Sequence, residues 1–222
     1  MVLLKDNFIF LKPRKVAGTS FEIALSRYAG NNDIVTPVSP NDEELRKALG
    51  FTSPRNFMDE KGQVVFRNHI SAAEARKKLG SGAWNSLKKV SIVRNPFDVY
   101  VSLFFYHNGP AADISRLSEW YIGGEGEAYL GVNHKQYYIA ERLVVDNFIR
   151  YEKLKEGILS LEDFFPKLKG LYNSFSSIKA KSGIRSPESY DLIDIYSRHV
   201  CLKKKIESVH RFEINEFGYS LG

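Results

Sequence analysis

The passage from Asn7 to Gly30 does most to limit the fold. Asn7-Phe8-Ile9-Phe10-Leu11 is an apolar, aromatic run of strand length, halted by Pro13. A basic turn holding one glycine follows, Lys12-Pro13-Arg14-Lys15-Val16-Ala17-Gly18, and Thr19 or Ser20 is placed to cap a helix. Phe21, Ala24, Leu25 and Tyr28 then fall at i, i+3, i+4 and i+7, the apolar stripe of a helix that Gly30 ends. A buried strand, a tight turn and a helix make the opening unit of a layered α/β protein.

The pattern recurs along the chain. Gln63-Val64-Val65-Phe66-Arg67 reads as a second strand, and Ser71-Ala72-Ala73-Glu74 has capping-box spacing for a helix running to Leu79 before Gly80. Lys89-Val90-Ser91-Ile92-Val93 reads as a third strand, and Asn95 as N-cap with Pro96 behind it opens a helix through about Phe105. A fourth strand is expected over residues 146–151, with helical stretches near 161–170 and 189–216. Residues 31–62 read as loop with one short helix around 42–49. The glycine- and aromatic-rich stretch 108–140 reads as a substrate-side insertion or lid. The alternation predicts a single α/β domain over residues 1–222, with a mostly parallel central sheet flanked by helices.

Composition bounds the ligand. The 222 residues hold 32 Lys+Arg against 26 Asp+Glu, a net charge of +6. So small an excess, without dense basic blocks, suits a compact anion better than a long polyanion, and no nucleic-acid partner is expected. The single cysteine, Cys201, excludes an intramolecular disulfide and a Cys-based zinc cluster. No apolar run approaches the ~18 residues of a membrane span. The opening MVLLKDNFIFLKP has charges at Lys5 and Asp6 and no small-residue cleavage site. The expectation is a cytoplasmic protein with no membrane insertion.

In sheets of this class ligands bind beyond the C-terminal strand ends. Three segments are expected there: residues 12–20, Arg67-Asn68-His69, and Arg94-Asn95-Pro96. The first combines basic side chains, a helix N-terminus, a glycine for close approach and two hydroxyls, the parts of an anion cradle. It also fits a plain helix start with solvated lysines. It is not a nucleoside-triphosphate loop, because the lysine precedes the glycine instead of following a second one. In the third segment, Ser102 lies about two helical turns beyond Asn95 on the same face, where an Arg94 guanidinium can share a phosphate with its hydroxyl.

Together these residues resemble a family. Lys15-Val16-Ala17-Gly18-Thr19-Ser20 is similar to the 5′-phosphosulfate loop of the sulfotransferases. Arg94-Asn95-Pro96 followed by Ser102 is similar to their 3′-phosphate motif. The nearest likeness is to the carbohydrate-type branch, the heparan and chondroitin sulfotransferases and their bacterial relatives. Phe148-Ile149-Arg150-Tyr151-Glu152-Lys153-Leu154 and Phe217-Gly218-Tyr219 are weaker echoes of the same branch. One departure stands in the first motif: the family lysine commonly follows proline directly, and here Arg14 separates Pro13 from Lys15. Lys12 and Arg14 therefore stay open as partners in the lysine's role.

The resemblance implies a P-loop-NTPase-like three-layer fold and sulfuryl transfer from 3′-phosphoadenosine 5′-phosphosulfate (PAPS) to an acceptor hydroxyl. The acceptor is expected on a glycan or small molecule. PAP is the product, and no metal is needed. It assigns Arg14, Lys15, Ala17, Gly18, Thr19 and Ser20 to the phosphosulfate, with Lys15 catalytic. It assigns Arg94 and Ser102 to the 3′-phosphate, with Arg185 closing over it from a basic loop that also holds Lys179, Lys181 and Ser186. His69 is the expected general base, with His107 and His134 as fallbacks, and Glu74 reads as the capping partner of Ser71. Two other classes stay open: a nucleotide or small-molecule kinase, and a non-enzymatic module binding anions.

Overall fold

The computed structural model describes residues 1–5, 8–178 and 190–221. The first elements are β1 (Val2–Leu4), β2 (Phe8–Phe10), α1 (Gly18–Ser26), β3 (Ile34–Val35), α2 (Pro40–Ala48), α3 (Ala72–Leu79), α4 (Ser81–Ser86) and β4 (Lys88–Val93). Then come α5 (Pro96–Asn108), α6 (Leu117–Tyr121), α7 (His134–Tyr137), β5 (Tyr138–Ile139), β6 (Arg142–Leu143) and β7 (Asn147–Arg150). The chain closes with α8 (Leu154–Phe164), α9 (Leu171–Ser176), α10 (Leu192–Arg198), α11 (Val200–Val209) and α12 (Arg211–Phe217). Two compact units result: Met1–Ile92 with Asn133–Ala180, and Val93–Val132 with Lys181–Gly222. Among the described residues no helix is long and apolar enough to cross a membrane.

The first unit is α/β, built on a mixed five-stranded sheet in the order β3-β1-β2-β4-β7. β2 and β4 pair in parallel, Phe8 opposite Lys88 and Phe10 opposite Val90. β1 is antiparallel to both β2 and β3. The sequence reading missed β1, and the physical reason for its direction is simple. Too few residues separate Leu4 from Phe8 for a crossover, so the strand must double back.

Successive strand residues face opposite sides of the sheet, and both sides are buried. Leu4, Phe8, Phe10, Val90, Ile92 and Ile149 join Phe21 of α1, Ile158 of α8 and Leu171 of α9 in one apolar cluster. Leu3, Ile9 and Leu11 join Ala72 and Ala75 of α3 and Trp84 of α4 in another.

Several local expectations change. Residues 63–67 form no strand: Val64 makes a single antiparallel bridge to Met58 and is 56% exposed. A turn takes this backbone instead, with Asp59 Oδ1 accepting from the N–H groups of Lys61 and Gln63 at 2.9 Å each. Helix α1 starts at Gly18 with Ala17 as N-cap, so Thr19 and Ser20 sit inside its first turn instead of capping it. Ser71 does cap α3, its Oγ accepting from Glu74 N–H at 3.2 Å, and Asn95 caps α5, accepting from Phe97 N–H at 3.1 Å.

The second unit is helical. Its core gathers Phe97, Leu103 and Phe105 of α5, Leu117 of α6, Ile195 of α10 and Leu202 and Ile206 of α11. Three buried tyrosines satisfy their hydroxyls within this core. Tyr121 Oη donates to the Tyr100 carbonyl at 2.8 Å and Tyr196 Oη to the Phe97 carbonyl at 2.9 Å. Tyr100 Oη donates to His210 Nε2 at 2.9 Å, while His210 Nδ1 donates to Glu213 Oε1 at 3.1 Å. Burial raises all three phenols above their ordinary pKa, so they remain protonated donors.

Candidate functional site

In the first unit the turn between β2 and α1 is the best-formed polar feature. Lys15 and Ala17 both adopt φ 60°, the left-handed region, on either side of Val16. Left-handed residues alternating along a turn swing backbone N–H groups toward one side, the geometry of an anion nest. No side chain caps α1. The first N–H in the helix to find a backbone partner is that of Phe21, bonded to the Ala17 carbonyl at 3.1 Å. The N–H groups of Gly18, Thr19 and Ser20 are those that helix geometry leaves without an intrahelical acceptor. At Gly18 a Cβ would stand 3.0 Å from Lys12 Cγ and 3.3 Å from the Pro13 carbonyl oxygen, so a side chain there would be tightly packed and its neighbours would have to give slightly.

The turn is anchored from below and from the side. Lys12 Nζ lies 2.7 Å from Glu22 Oε2 in an ion pair with both side chains buried. Glu22 Oε1 also accepts from the Met1 amine at 2.8 Å and from Thr36 Oγ1 at 2.8 Å. Burial alone would raise the Glu22 pKa, but Lys12 and the Met1 amine outweigh it and hold the carboxyl below the usual carboxylate range. Lys12 thus serves as an anchor of the turn. From the side, Asn133 Oδ1 accepts from Arg14 N–H at 2.7 Å while its Nδ2 donates to the Arg14 carbonyl at 3.1 Å. Arg14 itself is half-buried, with Nε lacking a hydrogen-bond partner among the described residues.

His69 sits on a turn, not at a strand end, yet it reaches the same loop. Its Nδ1 lies 3.0 Å from the Lys12 carbonyl oxygen. A carbonyl only accepts, so Nδ1 carries the proton and Nε2 keeps the lone pair. Burial first, and then the charges of Lys12 and Arg14, push the His69 pKa down to about 3, so the imidazole is neutral at physiological pH. Gln136 holds this turn in place by donating to the His69 carbonyl at 3.0 Å.

In the second unit Arg94 is buried and its Nε donates to Asp98 Oδ2 at 2.8 Å, an i,i+4 pair at the start of α5. Ser102 is buried on the same helix. The two fallback histidines pack on aromatic rings, His107 tilted against Tyr129 with centroids 4.4 Å apart and His134 stacked on Tyr138 at 4.2 Å. Glu74 pairs with Arg67 at 2.9 Å besides meeting its cap. Arg185, with Lys179, Lys181 and Ser186, lies outside the described residues.

Sequence reading missed Glu22, Asn133 and Gln136. The first hides on the buried helix α1, and the other two are the N-cap and the third residue of a four-residue helix with no signal of its own. No protein-family model matches the chain, and comparison with curated proteins gives no match.

Proposed function

We propose that the chain is a PAPS-dependent sulfotransferase whose acceptor is a hydroxyl, of carbohydrate class. The observation that supports this most is the β2–α1 turn. It combines two left-handed residues, an uncapped helix start, a closely packed glycine, and a lysine, with a neutral histidine bonded to the same loop. A P-loop-NTPase-like arrangement is part of this reading, since a phosphate-binding turn follows a central parallel strand in that fold.

Here Arg14, Lys15, Ala17, Gly18, Thr19 and Ser20 receive the 5′-phosphosulfate. Arg94 and Ser102 receive the 3′-phosphate, which tells PAPS from ATP. The acceptor oxygen attacks sulfur and the S–O bond to the phosphate breaks. Its electron pair stays on the phosphate oxygen, where the Lys15 ammonium neutralises the charge, and the hydroxyl proton passes to His69 Nε2. Such transfers run through a loose, charge-spread transition state, so positioning and electrostatics supply most of the rate.

Calorimetric titration with 3′,5′-ADP against 5′-AMP, without magnesium, is the test. Binding on the order of micromolar that needs the 3′-phosphate and weakens at least tenfold in Arg94→Ala is expected. Equal binding of the two nucleotides overturns the reading, and magnesium-dependent ATP turnover would replace it with the kinase.

A further inference from the structure

A second constellation lies wholly within the Val93–Val132 and Lys181–Gly222 unit and is independent of the sulfuryl-transfer reading. Ser118 in the first turn of α6 and His199 between α10 and α11 meet across 81 residues of sequence, Ser118 Oγ lying 2.8 Å from His199 Nδ1. The other ring nitrogen, Nε2, lies 3.2 Å from the Ile114 carbonyl oxygen. Because that carbonyl only accepts, Nε2 holds the ring proton and Nδ1 presents a lone pair, so the serine hydroxyl must donate to it. Hydroxyl, base and a fixed acceptor behind the base form the sequence of an activated nucleophile. Burial lowers the His199 pKa against a smaller opposing push from the Ile114 bond, and the Arg198 charge lowers it further. The imidazole is therefore neutral at physiological pH, and Nδ1 keeps the lone pair that accepts from the serine hydroxyl.

Both residues line a pocket of about 700 Å³, with Ile114, Ile195 and Tyr190 on its apolar side. That is the size of a small-molecule site. Arg198 NH2 binds both carboxylate oxygens of Asp194, at 2.6 and 2.5 Å, and Asp191 adds a second carboxylate to the lining. The lining thus carries two carboxylates against one guanidinium and disfavours an anionic ligand.

We propose that Ser118 and His199 form a nucleophilic dyad for acyl transfer that takes a small, uncharged carboxylic ester. Ser118 Oγ bonds to the ester carbonyl carbon as its proton passes to His199 Nδ1. The C–O bond to the leaving alcohol then breaks, and the alcohol oxygen takes that proton. Water hydrolyses the acyl-serine by the same route in reverse, releasing the acid and restoring the hydroxyl.

The test is labelling of the full chain with an uncharged alkyl fluorophosphonate, read by peptide mass spectrometry. Ser118 is expected to react at least tenfold faster in native than in denatured protein and at least tenfold faster than Ser115, which lines the same pocket. His199→Gln should slow the labelling by about 100-fold, and Ser118→Ala should remove it while leaving 3′,5′-ADP binding unchanged. Equal reactivity of Ser118 and Ser115 in the native wild-type protein overturns the proposal, whatever the variant does. A His199→Gln protein with wild-type circular dichroism and a wild-type labelling rate overturns it as well.

Discussion

The imidazole of His69 is held by the backbone of Lys12, Nδ1 donating to that carbonyl at 3.0 Å, while the Lys12 ammonium sits 2.7 Å from Glu22. One residue therefore ties two things together. Its side chain anchors the β2–α1 turn to the inside of α1, and its carbonyl sets the tautomer and orientation of the histidine. Movement of this turn moves both the left-handed backbone at Lys15 and Ala17 and the imidazole of His69.

The first prediction concerns protons on His69. Its folded pKa, about 3, lies below the ordinary value of 6.5, so the unfolded chain accepts a proton that the folded chain refuses. The stability is complete above pH 6.5 and drains away as pH falls toward 3. Against a His69→Gln variant, wild type should lose about 2 kcal/mol between pH 8 and pH 5, measured by urea unfolding at each pH. On the proposed reaction, the rate should show no limb from this histidine between pH 5 and 8. His69→Gln should lower kcat by about 10²-fold or more.

Glu22 leads to the second. Glu22→Ala leaves Lys12 as a buried cation without its counter-charge and should cost about 3–5 kcal/mol. The double variant Lys12→Met/Glu22→Gln should cost clearly less than the sum of its singles, because the pair is removed together. Denaturant midpoints for the four proteins of the cycle give the coupling directly. Glu22 is held below its unfolded pKa, so this contribution is present above about pH 4.5 and is lost as pH drops below it.

Asn133 supports the third. Its carboxamide meets both the N–H and the carbonyl of Arg14. Asn133→Ala leaves those backbone groups short of partners at a largely buried position and should destabilise by about 1–3 kcal/mol. On the proposed reading the turn would also loosen, so nucleotide affinity should fall. Asn133→Asp keeps the acceptor and loses the donor, and should lie between wild type and alanine in a thermal melt at neutral pH.

How far these relationships could be read from the sequence depends on their range. The caps at Ser71 and Asn95 and the strand at Phe8–Phe10 follow from local chemistry, and the sequence shows them. β1 escaped because a three-residue strand carries almost no periodicity, and only pairing with β2 and β3 makes it one. Residues 63–67 misled for the opposite reason: a β-like pattern after a turn at Gly62 folds back only on residues 57–59 just before it, in a single isolated bridge that joins no sheet. The basic turn between a strand and a helix was legible as a local unit. The anchoring by Glu22, Asn133 and Gln136 was not, since it joins residues distant in sequence through single polar side chains.

The last prediction turns on Arg94 and Asp98. Arg94 Nε donates to Asp98 Oδ2 at 2.8 Å, so a phosphate arriving at this guanidinium meets a carboxylate already bound there. On the proposed reading the two anions share the fork, and the carboxylate opposes the phosphate by like charge. Asp98→Asn keeps the shape and removes the charge, so affinity for 3′,5′-ADP should rise several-fold while affinity for 5′-AMP stays put. The gain should shrink as salt is raised, because part of it is unscreened repulsion relieved at a position 18% exposed. Arg94→Ala should abolish the difference between the nucleotides altogether. If Asp98→Asn instead weakens both nucleotides equally, the arginine serves the start of α5 and the 3′-phosphate is bound by other residues.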